Sequence, residues 1–178
     1  FDADGFYLIG DAGKPADVND PNRGVVFDGR VAEDFKLSSG TWVSVGTIRV
    51  DAIGATGSLM QDAVLAGHDR DEIGLLVFPN LLACAKFAGL TADASADEIV
   101  TDATVRQALT ERLCAYNAKH QSASQRIARA LLMTEPASID ANEITDKGYV
   151  NQRAVLESRA ALVDILYSND DRVLVLGG

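Results

Sequence analysis

The sequence predicts an α+β fold, with a small, mostly antiparallel sheet flanked by helices and a short β-rich tail in front of it. Three observations support this class. Turn residues punctuate the first part of the chain, strand-length apolar runs recur in its middle, and amphipathic helical stripes follow. Because strands and helices are interspersed along the chain, an α+β domain is favoured.

The tail is predicted to hold two strands, Phe6–Ile9 and Gly24–Gly29, joined by a polar loop that contains two of the four prolines. A natural boundary falls at residues 30–34. We therefore expect residues 1–31 to form the tail and residues 32–178 to form the main domain.

The main domain is expected to begin with a hairpin in which Asp34–Leu37 and Thr41–Val45 pair across a turn. Gly40 supplies the positive φ that such a turn needs. A weak helical stripe follows over Gly46–Ala55, so a short helix is predicted there.

The centre of the sheet is predicted to be a second hairpin, formed by the apolar runs Asp62–Ala66 and Ile73–Phe78. A short helix follows over Asn80–Ala88, because Asn80 can accept a hydrogen bond from the first helical turn. Thr91–Glu98 is expected to be an acidic connection rich in small residues.

The C-terminal part is predicted to carry two amphipathic helices, Asp102–Tyr116 and Asn151–Tyr167, whose apolar residues recur at helical spacing. Arg126–Met133 lies between them and is strand-like. Pro136 ends that strand, since proline cannot continue the ladder of hydrogen bonds.

Composition excludes several classes of partner. The chain has 178 residues, with 26 Asp and Glu against 16 Lys and Arg, and a formal net charge of −10. This balance argues against binding to nucleic acid or to an anionic membrane surface. No apolar run approaches the roughly 20 residues that span a bilayer. Cys84 and Cys114 do not make a disulfide framework, so a cytoplasmic protein is expected, and the opening residues suggest a piece of a longer chain.

Residue spacing also excludes several familiar sites. Asp17–Asn22 is superficially similar to a calcium loop, but Pro21 stands where such a loop needs Asp or Asn. His68 and His120 have no partners at zinc-ligand spacing, so no metal site is expected. The chain also lacks a glycine-rich phosphate loop ending in Lys-Ser/Thr and a nucleophile elbow.

Three polar residues lie in segments that folding alone does not explain. Asp11 closes a strand between two glycines, and Arg30 ends a strand directly after Gly29. Lys147 lies in a polar loop in which Gly148 keeps the tip open. Each residue alone would be an ordinary surface charge, but their order along the chain matches a known pattern.

That pattern resembles the adenylate-forming acyl-CoA synthetase superfamily. Phe6–Asp11 is similar to its Tyr-x-Thr-Gly-Asp motif. Asp28–Ser44 is similar to its hinge motif, in which an Arg is followed six residues later by a Lys and then by a Gly. Ile144–Gly148 stands where these enzymes carry a C-terminal catalytic lysine. Over most of the chain, the amino-acid sequence is most similar to the feruloyl-CoA synthases.

The resemblance implies that the tail ends a large N-terminal AMP-binding domain and that residues 32–178 form its mobile C-terminal domain. The implied reaction uses ATP to convert a feruloyl- or hydroxycinnamate-type acid into an acyl-adenylate, and then transfers the acyl group to coenzyme A. The implied partners are therefore ATP or AMP, coenzyme A, the acid and the chain's own N-terminal domain. That domain would provide most contacts to the nucleotide and to Mg²⁺, so this chain alone is expected to be inactive.

The resemblance also implies a role for each candidate residue. Lys147 is the implied catalytic residue, whose ammonium lowers the repulsion between the carboxylate and the α-phosphate. Asp11 would accept hydrogen bonds from the ribose hydroxyls, with Arg30 assisting at the same sugar. Lys36 would contact the nucleotide or close the domains, and the Gly40 hairpin would approach the pantetheine arm of coenzyme A.

The chain departs from the family pattern at three positions. Ile9 replaces the usual Thr, and Ala32 occupies the hinge position where Asp or Lys is usual. The order Lys147-Gly148 inverts the common Gly-Lys. Two alternatives stay open, namely a non-catalytic α+β partner module and the same ligase chemistry on a fatty or benzoic acid.

Overall fold

The computed structural model describes residues 1, 3, 5–7, 9–91 and 93–177, with the backbone alone for residues 27–29. Its strands and helices are, in chain order, β1 (Asp11–Pro15), β2 (Val25–Arg30), β3 (Phe35–Lys36), β4 (Trp42–Val43), α1 (Val45–Thr56), β5 (Met60–Ala66), β6 (Ile73–Pro79), α2 (Leu81–Ala88), α3 (Ala96–Thr101), α4 (Ala103–Lys119), β7 (Ile127–Leu132), α5 (Gln152–Ser158), α6 (Ala160–Leu166) and β8 (Val173–Val175).

A four-stranded sheet with the order β5-β6-β7-β8 forms the centre of the molecule. β5 pairs with β6 and β7 with β8 in antiparallel fashion, whereas β6 and β7 are parallel. The parallel pair requires a long crossover, which α2, α3 and α4 provide. Two smaller antiparallel pairs, β1–β2 and β3–β4, precede this sheet. The predicted α+β class with a small, mostly antiparallel sheet is confirmed.

The sheet separates two hydrophobic cores, because strand side chains alternate between its faces. On β6, Ile73, Leu75 and Val77 belong to the larger core, which also contains residues of α1 to α4. Leu76 and Phe78 belong to the smaller core, which α5 and α6 complete. Buried on both faces, β6 is apolar along its whole length.

Most of the predicted elements are present. The first hairpin pairs Phe35 with Val43 and turns at Gly40, whose φ is +81°. The second hairpin is β5–β6, and the helix after it begins when the Asn80 side chain accepts a hydrogen bond from Ala83 N at 3.1 Å. The weak stripe before β5 is the helix α1, which buries Ile48 and Ala52 in the larger core.

Two predictions near connections are wrong. The first strand begins at Asp11, and residues 6, 7 and 9 lie outside any strand, while Leu8 of the predicted run lies outside the described residues. The predicted connection Thr91–Glu98, of which Ala92 is also outside the described residues, ends inside a helix. α3 starts there because Ser95 and Glu98 form a reciprocal capping box.

The C-terminal prediction also needs correction. The single helix expected over Asn151–Tyr167 is two helices, α5 and α6, which meet at Arg159 with φ −107° and ψ 31°. A further strand, β8, follows and extends the sheet beyond β7. Within the described part of the chain, no helix combines the length and the apolar character needed to cross a membrane.

Candidate functional site

Lys147 lies at the tip of a tight turn between residues 144 and 150, which form an isolated antiparallel bridge. Thr145 N donates to Tyr149 O at 2.8 Å, and Gly148 N donates to Thr145 O at 2.8 Å. Gly148 has a φ of +81°, a conformation that glycine adopts readily and that closes the turn. Lys147 is exposed, so its side chain is accessible to solvent.

A buried carboxylate anchors this turn at its N-terminal side. Glu143 is only 2% exposed, and its two oxygens accept from Arg159 Nε and Nη2, both at 2.8 Å. The same carboxylate accepts from Ser158 Oγ, and from Ser138 N at 2.7 Å. The Arg159 guanidinium, together with the donors from Ser158 and Ser138, lowers the pKa of Glu143 to about 2. The carboxylate is therefore ionised at neutral pH and fully hydrogen-bonded.

A buried amide anchors the turn at its C-terminal side. Gln152, at 3% exposure, accepts from Leu65 N at 3.1 Å and donates to Leu65 O at 2.6 Å. Its side chain thus satisfies both backbone groups of one residue of β5. Asn151 N also donates to Glu143 O at 2.8 Å, which links the two anchors. The turn that carries Lys147 is consequently fixed to the domain at both ends.

Two grooves lie beside this turn. Gly148 and Val150 line a groove of about 430 Å³ whose walls include Phe78 and Leu81. Tyr149 lines a second groove of about 500 Å³, which Arg30 and Val50 also border. Lys147 directly precedes Gly148 of the first groove and lies two residues before Tyr149 of the second.

Asp11 and Arg30 are brought together in the ribbon of β1 and β2. They are directly opposite each other in the antiparallel register, so both side chains project from the same face. Arg30 Nη1 lies 4.0 Å from Glu33 Oε1, and Val31 N donates to Gly10 O at 3.0 Å. Arg30 also lines the second groove, as Tyr149 does.

Lys36 and Gly40 lie on the separate β3–β4 hairpin. The Lys36 Nζ is 5.0 Å from the centroid of the Trp42 ring, a cation–π contact on the exposed face of the hairpin. Gly40 is exposed, and nothing lies within 4 Å of the position that a Cβ would take. The tip of this hairpin is thus open for close approach by a ligand or another domain.

The other polar groups in the described part of the chain show no arrangement typical of a catalytic centre. Within residues 1, 3, 5–7, 9–91 and 93–177, no group of three or more His, Cys, Asp or Glu could hold a metal ion. Cys84 is buried, and that burial raises the pKa of its thiol to about 11. His68 is exposed beside Asp69, and His120 stacks on Tyr116 at a centroid distance of 4.3 Å.

The sequence prediction missed the anchors of the site. Glu143, Arg159 and Gln152 were not singled out, since their partners lie 16 and 87 residues away along the chain. The only local indication of an anchor was an acidic residue, Glu143, four positions before Lys147. Ala32, the expected hinge, is exposed in a turn between β2 and β3.

Comparison with known proteins identifies a family. A model described as the AMP-binding enzyme C-terminal domain matches residues 43–171, which include Lys147. No curated protein matches the chain.

Several solved structures share the fold. The didomain of a carboxylic acid reductase from Segniliparus rugosus, in complex with AMP, has a TM-score of 0.68 at 23% identity, and the match covers 94% of this chain and 21% of that one. Coronafacic acid ligase from Pectobacterium brasiliense has a TM-score of 0.53 at 15% identity, with 99% and 27% covered. An anthranilate CoA ligase in complex with anthranoyl-AMP has a TM-score of 0.54 at 17% identity, with 89% and 25% covered. The chain thus spans about a quarter of the structures it matches.

Proposed function

The chain belongs to the family of AMP-binding enzyme C-terminal domains, and on that premise we propose that it is the C-terminal part of an AMP-forming acid–CoA ligase. In this proposal residues 1–31 end the large nucleotide-binding domain and residues 32–178 are the mobile domain. The ligase activates a carboxylic acid as an acyl-adenylate and then transfers the acyl group to coenzyme A.

One observation carries the proposal, namely the exposed Lys147 ammonium on a turn that is fixed at both ends. In adenylation an anionic carboxylate attacks the α-phosphate of ATP, which is itself negative. A cation held between the two groups reduces their repulsion, and it is most effective when its position is set before the reaction. The Glu143–Arg159 ion pair and the Gln152 amide supply that fixed position.

Asp11 and Arg30 suit the nucleoside end of the same ligand. A carboxylate can accept two hydrogen bonds from vicinal hydroxyls, and an adjacent guanidinium can donate to the same sugar. Their direct pairing across the β1–β2 ribbon supports this shared role. Lys36 then contacts the nucleotide or helps to close the domains.

The second step uses a different surface of the domain. After rotation of the domain, the Gly40 turn approaches the pantetheine arm, because glycine lets the backbone come close to a ligand. The open space around Gly40 supports this assignment. Lys147 and Gly40 therefore serve different half-reactions.

The proposed substrate is a feruloyl- or hydroxycinnamate-type aromatic acid. Because the acyl pocket belongs to the large domain, this choice depends on the similarity of the sequence to feruloyl-CoA synthases. Mg²⁺ in such a reaction accompanies ATP, and the large domain would hold it. No step of the proposal uses a metal ligand from this chain.

A direct test uses the full-length protein with ATP, Mg²⁺, coenzyme A and a panel of acids. We expect AMP and the acyl-CoA to form fastest with ferulate and other hydroxycinnamates, and more slowly with benzoate or a fatty acid. The 178-residue chain alone should give no ATP–pyrophosphate exchange. Absence of acyl-CoA with every acid, or exchange by the isolated chain, would contradict the proposal.

A further inference from the structure

The turn between β5 and β6, residues 67–72, supports the Gly40 hairpin. Asp69 N donates to Lys36 O at 3.0 Å, and Ser38 N donates to Arg70 O at 2.9 Å. Ser38 Oγ also donates to Asp71 Oδ1. Together these contacts fasten the strand before Gly40 to the β5–β6 turn.

The opposite side of this turn is held by one tyrosine from the end of α6. Tyr167 Oη donates to Glu72 O at 3.0 Å and accepts from Gly74 N at 3.1 Å. The Arg70 guanidinium lies 4.2 Å from the centroid of the Tyr167 ring and 3.7 Å from Asp164 Oδ1. Arg70 therefore contacts the hairpin through its backbone and α6 through its side chain.

The fit around this hydroxyl is close. A Cβ at Gly74 would lie 2.6 Å from Leu166 Cδ2 and 3.1 Å from Tyr167 Oη, so a larger residue there would displace these side chains. Burial raises the pKa of Tyr167 to about 12, and its hydroxyl consequently remains a donor at all physiological pH values. No part of the adenylation chemistry uses this group.

We propose that Tyr167 is a positioning residue for the Gly40 hairpin, acting through its hydroxyl on the β5–β6 turn. The tyrosine itself contacts no substrate. Its consequence for catalysis rests on the proposed function, in which the hairpin approaches coenzyme A. Tyr167→Phe should then loosen the hairpin and impair acyl transfer more than adenylation, in which the hairpin takes part only through Lys36.

The physical half of this proposal can be tested on the 178-residue chain. Trp42 is the only tryptophan in the chain and lies on the hairpin, so its fluorescence reports hairpin motion directly. We expect Tyr167→Phe to lower the Trp42 anisotropy and to increase quenching by acrylamide. Tyr116→Phe is the matched control, because it also removes a hydroxyl that donates to a backbone carbonyl, that of Gln125, which belongs to neither the hairpin nor the β5–β6 turn.

A second variant covers the case in which Tyr167→Phe does not fold. Asp71→Ala removes the exposed hydrogen bond between Asp71 and Ser38 Oγ on the other side of the turn. It should also lower the Trp42 anisotropy and increase quenching by acrylamide. Unchanged Trp42 signals in the folded variants would overturn the positioning role.

The catalytic half uses the full-length protein and separates the half-reactions. Tyr167→Phe should slow thioester formation from supplied acyl-adenylate by about 10-fold to 100-fold, since small misplacements have effects of this size. ATP–pyrophosphate exchange should fall much less relative to the Tyr116→Phe control, because only Lys36 of the hairpin takes part in adenylation. If Trp42 is mobilised but acyl transfer is unaffected, the positioning role stands and the Gly40 assignment of the proposed function fails.

Discussion

Residues 138–151 contain no helix and only one isolated bridge, whereas the β1–β2 ribbon is an antiparallel ladder with one register shift, between Asp11 and Gly13. The irregular segment nevertheless holds a carboxylate, Glu143, that is 2% exposed and fully hydrogen-bonded. In β1 no residue is buried, and Val25 and Val26 of β2 are 75% and 47% exposed. Regular secondary structure and a fixed position in the domain are thus separate properties.

The difference has a physical cause. A two-stranded ribbon that packs no apolar face against a core is only marginally stable in water. Each hydrogen bond of its ladder replaces one to water and therefore adds little net free energy. A buried and fully paired ionic group resists displacement, because separating its partners leaves a charge in a poorly solvated site. Lys147 therefore takes its position from buried contacts of this domain, whereas Asp11 and Arg30 lie on a ribbon that buries little apolar surface.

The largest expected effect comes from breaking the buried anchor. Glu143→Gln leaves the Arg159 guanidinium without its counter-charge, so the free energy of unfolding of the chain should fall by about 3–5 kcal/mol. Glu157→Gln is the control, because Glu157 pairs with Arg153 on the exposed face of α5. Chemical denaturation measures both variants, and equal losses would show that the anchor does not matter.

The free energy of unfolding should depend on pH through the same ion pair. The pKa of Glu143 is about 2 in the folded chain against an ordinary value of 4.5, so folding favours the ionised form. Its stabilisation is complete above about pH 4.5 and is lost as the pH falls toward 2. This shift corresponds to roughly 3 kcal/mol. The difference between wild-type and Glu143→Gln stabilities, measured from pH 7 to 2, should shrink over that range, and a constant difference would contradict the assignment.

The smallest expected effect lies in the ribbon. Val26→Ser should change the free energy of unfolding of the chain by less than about 0.5 kcal/mol, since the side chain contributes little to a core. Val64→Ser in β5 is the matched comparison, and it should cost about 3 kcal/mol because it creates a cavity and buries a hydroxyl. Similar costs at the two valines would mean that the ribbon is as firmly packed as the central sheet.

Much of the fold was predictable from local patterns. The two hairpins, α1, α2 and α4 followed from turn residues, a cap at Asn80 and helical spacing. Two local signals were overlooked, the capping-box pair Ser95 and Glu98 before α3 and the continuous apolar run of β8.

The remaining errors had no local signal. The break at Arg159 coincides with a guanidinium that binds Glu143, the Pro136 carbonyl and the Glu135 carbonyl, all distant in sequence. The anchor through Gln152 joins a loop to a strand 87 residues earlier. The sequence therefore predicted the exposed Lys147 but not the buried groups that hold its turn, because burial is a property of the assembled domain.

The central claim, that the Lys147 ammonium acts in adenylation, is tested most directly by Lys147→Ala in the full-length protein. ATP–pyrophosphate exchange should fall by about 10²–10³-fold, as for other groups that stabilise a transition-state charge. Thioester formation from supplied acyl-adenylate should be unchanged, and Lys119→Ala, which removes an exposed lysine at the end of α4, should affect neither reaction. Equal losses in the two half-reactions, or no loss in exchange, would contradict the claim.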